Sequence, residues 1–236
     1  MALEDKMIRY AAAHQEEEVC GLVIDNDYFY PCLNVSETPH NSFKISPDDY
    51  IKADELGVIT AVFHSHTDNS LILSARDRQQ QVISGLPWYL CSGGRVRKFR
   101  PVAHLLGRKF EHGKTDCYSL FRDAYHLCGV DLPDFERHDG WWLRGENLYI
   151  KNLPLHGFFM VDAQSIQPGD VIIRRPFKGA DPCHAMIYLG DNTVLHHDNA
   201  GLLSRREQMR PAYVRQTNSI WRSDKCSSLD LRAIFE

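Results

Sequence analysis

Hydrophobic and polar positions along the chain alternate between a helical period and a strand period, with turn residues between the runs. Leu3 to Gln15 places apolar residues on one face of a helix. VCGLVI and YFYPCL then read as two strands around an Asp25-Asn26-Asp27 turn. Ser46-Pro47-Asp48-Asp49 has the serine cap, first-position proline and acidic first turn of a helix start, so a helix is expected to about Gly57. VITAVFHSH is rich in β-branched residues and stops abruptly at TDNS, which predicts an inner strand delivering His64 and His66 at its carboxyl end. Ser74-Ala75-Arg76-Asp77 is a capping-box pattern that opens a helix through Ser84, and PWYLCS supplies another strand.

RVRKFRPVAHLLG reads as a basic connector, which puts a domain boundary near residue 101. Beyond it, Cys117, Leu120, Phe121, Ala124, Leu127 and Cys128 recur at helical spacing, with Asp116 as the cap and Gly129 as the stop. Residues 131–160 hold several aromatics with weak periodicity. SIQPGDVIIRR, HAMIYLGD and NTVLHHD predict a turn and three strands of a small antiparallel sheet. From Ser204 onward the pattern allows a late helix or a strand pair. The fold class expected is α+β in two domains, 1–100 and 101–236.

Composition narrows the function more than the fold. Lys and Arg number 27 against 31 Asp and Glu, a net charge of −4, so there is no overall basic field for nucleic acid or an anionic membrane. At 43% hydrophobic and 25% charged, the chain has the make-up of a folded soluble protein. No run approaches 18 apolar residues and MALEDKMIRY lacks an apolar core, so no transmembrane segment, no classical secretion and cytoplasmic synthesis are the expectations. Seven cysteines leave at least one thiol free, and a reducing compartment is the simpler setting.

Two constellations carry chemistry. His64 and His66 are two apart, so on a strand both rings leave the same face and can converge on one ion. Asp77 can return from the next helix to complete a two-imidazole, one-carboxylate zinc site with a fourth position open to water. Glu18 could take a proton from that water, and the Ser74 hydroxyl could donate to a developing oxyanion. Plainer readings stand beside these: an H-x-H pair among 12 histidines arises readily by chance, Ser74 with Asp77 could be a capping box alone, and Glu16 to Glu18 a solvated acidic face. The full arrangement of Glu18-Val19-Cys20-Gly21, then His64-Ser65-His66, seven residues, Ser74, two residues and Asp77 resembles the JAMM metalloprotease signature of the MPN/Mov34 family. That resemblance covers roughly residues 1–95 and implies an α-β-α, cytidine-deaminase-like fold. It also implies zinc on His64, His66 and Asp77, Glu18 as base and Ser74 at the oxyanion. Thr67 departs from it, standing where the family usually has proline.

In the second half, Cys117 follows a capping residue at a helix start, where free N–H groups and the helix dipole favour a thiolate. His184 and His196 lie on successive strands and can act in series as base and orienting group, although each residue taken singly is as well read as packing. GKTDCYSLFRDAY, CHAMIYLGD and TVLHH together resemble the NlpC/P60 cysteine peptidases, a papain-like fold with its nucleophile helix packed on an antiparallel sheet. By that resemblance Cys117 is nucleophile, His184 base and His196 the third residue, with His197 as the alternative on the opposite face. Phe110 stands where many relatives carry a tyrosine, so a hydroxyl near the oxyanion is missing unless His112 or Tyr118 replaces it.

The joined pair of domains resembles a family of tail assembly proteins of lambda-like phages. This implies a bifunctional peptidase of the host cytoplasm or virion tail tip, with tail tip proteins and bacterial peptidoglycan as partners. The cysteine centre would cut stem peptides, and the zinc centre a protein or isopeptide bond. The alternatives are a processing protease for tail proteins, or an assembly module with inactive sites. In the assembly module Trp141, Trp142, Tyr149, Phe158 and Phe159 would meet tail proteins rather than form core.

Overall fold

The computed structural model describes residues 1–198 and 201–235. It divides into two compact units, Met1–Ala103 and His104–Glu236, and is mixed α and β in both. In the first unit, helix α1 (Leu3–Ala12) precedes strands β1 (Cys20–Ile24) and β2 (Tyr28–Cys32), with Asp25 and Asn26 in the left-handed conformation that closes the hairpin. Helix α2 (Pro47–Leu56) follows, then β3 (Ile59–Ser65), helix α3 (Ala75–Ser84), β4 (Trp88–Ser92) and β5 (Arg95–Phe99). The sheet order is β2-β1-β3-β4-β5, antiparallel throughout except for β3 beside β4. That parallel pair is joined through α3, and such a crossover leaves a crevice at the carboxyl end of β3.

One face of β3 is core. Ala61 and Phe63 pack with Met7, Val23, Phe29 and Tyr89, and each fully buried Phe, Met or Val of this cluster contributes roughly 1.5–3 kcal/mol. The alternate residues Val62 and His64 turn the other way, so strand alternation carries His64 to the opposite face of the sheet, where it is buried against Phe43 and Trp88 at the back of the crevice that His66 lines. Gly21 on β1 is required by close approach, because a Cβ there would lie 2.7 Å from the Tyr30 carbonyl oxygen.

The basic stretch read as a connector is in fact β5, the edge strand paired antiparallel with β4. Its cations lie along aromatic rings, Arg97 4.5 Å from the centre of Phe99 and Lys98 5.1 Å from that of Tyr89. Basic residues on an edge strand suit its solvent side and guard it against further pairing.

The second unit opens with helix α4 (Cys117–Leu127), then α5 (Leu148–Leu155) and the strands β6 (Phe158–Val161), β7 (Val171–Arg174), β8 (His184–Gly190), β9 (Thr193–His196) and β10 (Arg205–Gln208). Helix α6 (Pro211–Gln216) and β11 (Thr217–Ser223) complete it. The sheet is wholly antiparallel in the order β10-β9-β8-β7-β11-β6, so the three expected strands form the middle of six. The end of the chain holds both a helix and strands, rather than one or the other. Helix α4 packs on β8 and β9, bringing its amino-terminal end to the start of β8. Trp141, Tyr149 and Phe158 are buried, Trp142 is half-buried and Phe159 is exposed, so most of the aromatic cluster is core. Among the described residues no helix is long and apolar enough to cross a membrane.

Candidate functional site

Each unit holds one candidate site. In the first, His64 lies near the end of β3 and His66 one residue beyond it, and their Nε2 atoms are 3.1 Å apart. Asp77, in the first turn of α3, sets its Oδ2 3.2 Å from His66 Nε2 and 3.4 Å from His64 Nε2. Donors about 2.0–2.1 Å from one tetrahedral zinc ion stand roughly 3.3 Å from each other, so this triangle has the edges of one coordination face. The residues fit the metal in chemistry as well as in spacing.

Ser74 caps α3 and serves Asp77 at the same time. Its backbone N–H and its hydroxyl donate to Oδ2 at 2.9 and 2.7 Å, fixing the carboxylate that faces the histidines. Thus the capping box and the fixing of the Asp77 carboxylate are one structure, and the Ser74 hydroxyl is engaged with Asp77. Phe43 stacks on the His64 ring at 4.7 Å between centres. Thr67 donates its hydroxyl to the His40 carbonyl at 3.1 Å, tethering the loop at the position where the family pattern has proline.

Burial holds His64 below its ordinary pKa, in the neutral form that a metal needs. For His66 burial opposes the charge, but the hydrogen bond and charge of Asp77 raise it on balance. Burial would likewise raise Asp77, and the two histidines and Ser74 outweigh it and hold the carboxyl well down. Glu18 lines the same cavity of about 620 Å³ with His66, Ser74, Asp77 and Trp88, and burial pushes its carboxyl up to about 7 against the opposing His66.

In the second unit Asp116 builds the turn that presents Cys117. Its Oδ1 accepts the Ser119 N–H at 2.9 Å, its Oδ2 accepts the Gly113 N–H at 2.9 Å, and Arg137 grips both oxygens at 3.3 and 2.9 Å. Cys117 follows as the first helical residue, with Sγ 3.2 Å from the Tyr149 hydroxyl and 3.7 Å from the Cys183 carbonyl. Burial and the Asp116 charge push this thiol up to about 11, so it rests protonated. Burial, then Arg174 and His196, hold His184 well below its ordinary value and therefore neutral. Cys117, His184, Tyr149, Arg174 and Trp142 line one cavity of about 640 Å³.

Behind His184 runs a chain of contacts. His184 Nε2 is 3.1 Å from His196 Nδ1, and His196 Nε2 is 2.6 Å from Glu207 Oε1. Arg174 lies alongside, almost wholly buried, with Nη2 2.7 Å from Asp198 Oδ1. His197 turns elsewhere, bonded at 3.1 Å to the Leu202 carbonyl and edge-on to Phe110. Neither expected replacement for the missing tyrosine supplies a hydroxyl at the thiol: Tyr118 donates to the Pro133 carbonyl at 2.6 Å, and His112 bonds to the Arg137 carbonyl at 2.9 Å. Tyr149 on α5 supplies it instead.

The structure thus groups Glu18, His64, His66, Ser74 and Asp77 in one crevice, and Cys117, His184 and His196 at the other. Sequence reasoning missed Tyr149, Arg137, Arg174, Asp198 and Glu207. For Glu207 a signal existed, a lone acid set among Arg205, Arg206 and Arg210. Tyr149 sits in the weakly periodic stretch and carried none.

Comparisons with known proteins agree with this division. The family model for prokaryotic homologs of the JAB domain matches residues 1–102, and that for the NlpC/P60 family matches residues 107–222. The tail tip assembly protein K of Escherichia phage lambda is 49% identical over 178 residues, 75% of this chain and 88% of that protein. The protein of the same name from Escherichia phage N15 is 34% identical over 207 residues, covering 82% of this chain and 83% of its own. Among solved structures, NlpC2 from Trichomonas vaginalis aligns over 88% of this chain and 72% of that chain at 15% identity with a TM-score of 0.37, too distant to bear on the sites. With an amino-terminal JAB-like domain, a carboxyl-terminal NlpC/P60 domain and this identity to both phage proteins, the chain belongs to the tail tip assembly protein K family.

Proposed function

We propose that the chain is a peptidase of the phage tail tip with two separate centres, made in the host cytoplasm during assembly and acting on bacterial peptidoglycan through the second. The observation that carries this reading is the cleft holding Cys117, Tyr149 and His184, with His196 and Glu207 in line behind the imidazole. Cys117 Sγ attacks the carbonyl carbon of a stem-peptide amide, and its proton passes to neutral His184 as the bond forms. The Tyr149 hydroxyl, beside Sγ, and the backbone N–H groups at the start of α4 can donate to the developing oxyanion. His184 returns the proton to the leaving amine, and water attacks the thioester with the same imidazole as base. Because thiol and imidazole both rest neutral, the proton moves during attack and no standing ion pair is required.

In the first domain, His64, His66 and Asp77 would hold zinc, which supplies Lewis acidity and an activated water. Ser74 orients Asp77, while Glu18 at the cavity wall would carry the proton between water and leaving group. A protein backbone or isopeptide bond is the substrate class that suits this centre.

The test is mass spectrometry of peptidoglycan fragments after incubation with the wild-type chain, Cys117→Ala and His66→Ala. New stem-peptide fragments from wild type and His66→Ala but not from Cys117→Ala are the expected result. Fragments from none of the three would overturn the wall substrate.

A further inference from the structure

The contacts behind His184 go one residue further than the thiol and two histidines require. Glu207 lies on β10 two residues from Arg205, which pairs across to His196, so both side chains share the face on which His196 lies. Its position is over-determined: Oε1 accepts from Arg205 Nη2 and from the Tyr213 hydroxyl, each at 2.7 Å, and Oε2 is held by Arg210. Those donors, with His196, outweigh burial and bring the Glu207 carboxyl down to about 2, so it is a carboxylate at working pH.

A carboxylate can only accept hydrogen bonds. At 2.6 Å it therefore requires the proton of His196 to be on Nε2. In a neutral imidazole the other nitrogen is then an acceptor, so His196 Nδ1 must receive a proton from His184 Nε2 at 3.1 Å. This leaves His184 Nδ1 with its lone pair. Burial keeps both rings neutral, as the sequence of donors and acceptors needs.

We propose that Glu207 is a positioning residue that fixes the tautomers of His196 and His184 in series, keeping Nδ1 of His184 as the basic nitrogen. The other charged and titratable groups around the pair are Arg174 on β7, Asp198 and His197 after β9, Arg205 on β10, and Arg210 and Tyr213 at α6. Arg174, Arg205 and Arg210 are cationic and cannot accept a proton from either ring. Asp198 Oδ1 already receives Arg174 at 2.7 Å and stands 3.9 Å from His184 Nε2, beyond hydrogen-bond distance. Glu207 is thus the acceptor that orders the pair. The inference rests on the thiol-peptidase reading for its catalytic meaning, but not for its geometry.

The test uses the full chain with nitrogen-15-labelled histidine rings, the His184 and His196 signals being assigned with single replacements at each. Alongside it runs the rate of Cys117 alkylation by iodoacetamide from pH 6 to 9, mapped by peptide mass spectrometry. In wild type both rings should carry the proton on Nε2. Glu207→Gln keeps a carbonyl oxygen for Arg205 and Tyr213 to orient, and should retain these tautomers and most of the alkylation rate. Glu207→Ala should populate the Nδ1–H form of both rings and slow Cys117 alkylation at least about tenfold, with a folded circular dichroism spectrum. A wild-type His184 protonated on Nδ1 would overturn the proposal, and so would a folded Glu207→Ala variant that alkylates at the wild-type rate. If instead wild type and His184→Ala alkylate alike, the thiol-peptidase reading fails and takes the catalytic role of Glu207 with it, while the ring spectra still decide the tautomers. The wild-type spectra do not depend on any Glu207 variant folding.

Discussion

Both halves of the molecule bring two imidazoles and a carboxylate within 4.8 Å of one another, His64, His66 and Asp77 in the first and His184, His196 and Asp198 in the second. Residue types alone would call both of them metal sites, and their surroundings separate them. Asp77 faces its histidines at 3.2 and 3.4 Å, and its other donors are the neutral hydroxyl and backbone N–H of Ser74. Asp198 is already taken by the guanidinium of Arg174, and His184 stands 3.9 Å away from it. A buried cation beside the second cluster repels a metal and depresses His184, and the same arrangement favours a neutral base. The two clusters thus differ in the third neighbour and its charge, a neutral serine beside Asp77 and a guanidinium on Asp198.

The widest break in this comparison is expected from crossed replacements. Cys117→Ala should abolish thiol chemistry by a factor of about 10⁴ or more and leave bound zinc unchanged. His66→Ala should lose zinc, read by elemental mass spectrometry, with Cys117 alkylation unchanged. Loss of both properties from either single replacement would contradict two independent centres.

Next in size, Arg174→Met leaves Asp198 without its partner and should cost about 3 kcal/mol of stability, read by urea unfolding. It should also raise the His184 pKa, and zinc should then slow Cys117 alkylation in the variant but not in wild type. An unaltered His184 titration would show that Arg174 is not what separates the two clusters.

Tyr149→Phe removes the hydroxyl beside Sγ, and turnover should fall tenfold to a hundredfold with little change in melting temperature. Acid unfolding gives a finer contrast. Glu207 is depressed from its ordinary value to about 2, so its stabilisation is present above about pH 4.5 and is lost as pH falls towards 2. Glu207→Gln should be less stable at neutral pH and lose less between those limits. Thr67→Val, which removes one loop hydrogen bond, should cost about 1 kcal/mol and slightly weaken zinc retention in the first domain alone.

The first site was far more legible than the second. Its members sit on a strand end and a helix cap, where spacing of two and a capping box translate directly into side-chain direction. Cys117 was legible for the same reason, since Asp116 marks the helix start that presents it. Tyr149 comes from α5, a short helix preceded by Asn147 in the left-handed conformation and carrying Pro154 in its last turn, and its sequence shows no clean helical period. Glu207 meets His196 across the pairing of β9 with β10, and Arg137 reaches Asp116 from an irregular loop. Strand β5 was read as a connector because basic residues dominate it, whereas at a sheet edge the charged ends of Arg97 and Lys98 lie over aromatic rings.

The amino-acid sequence by itself determined the two-part α+β plan, the cysteine at a capped helix, and the strand-borne histidines. Each of these rests on local geometry, a period of two or a cap, that neighbouring residues impose without help from the rest of the chain. Only the tertiary structure decided which groups stand behind those residues: the serine that turns Asp77, the hydroxyl beside Cys117, the guanidinium on Asp198 and the carboxylate that ends the histidine chain. Those partners come from distant segments brought together by sheet order and helix packing. Charge and proton position depend on every neighbour within a few ångströms, so the chemistry of both sites is set by contacts that no linear spacing records.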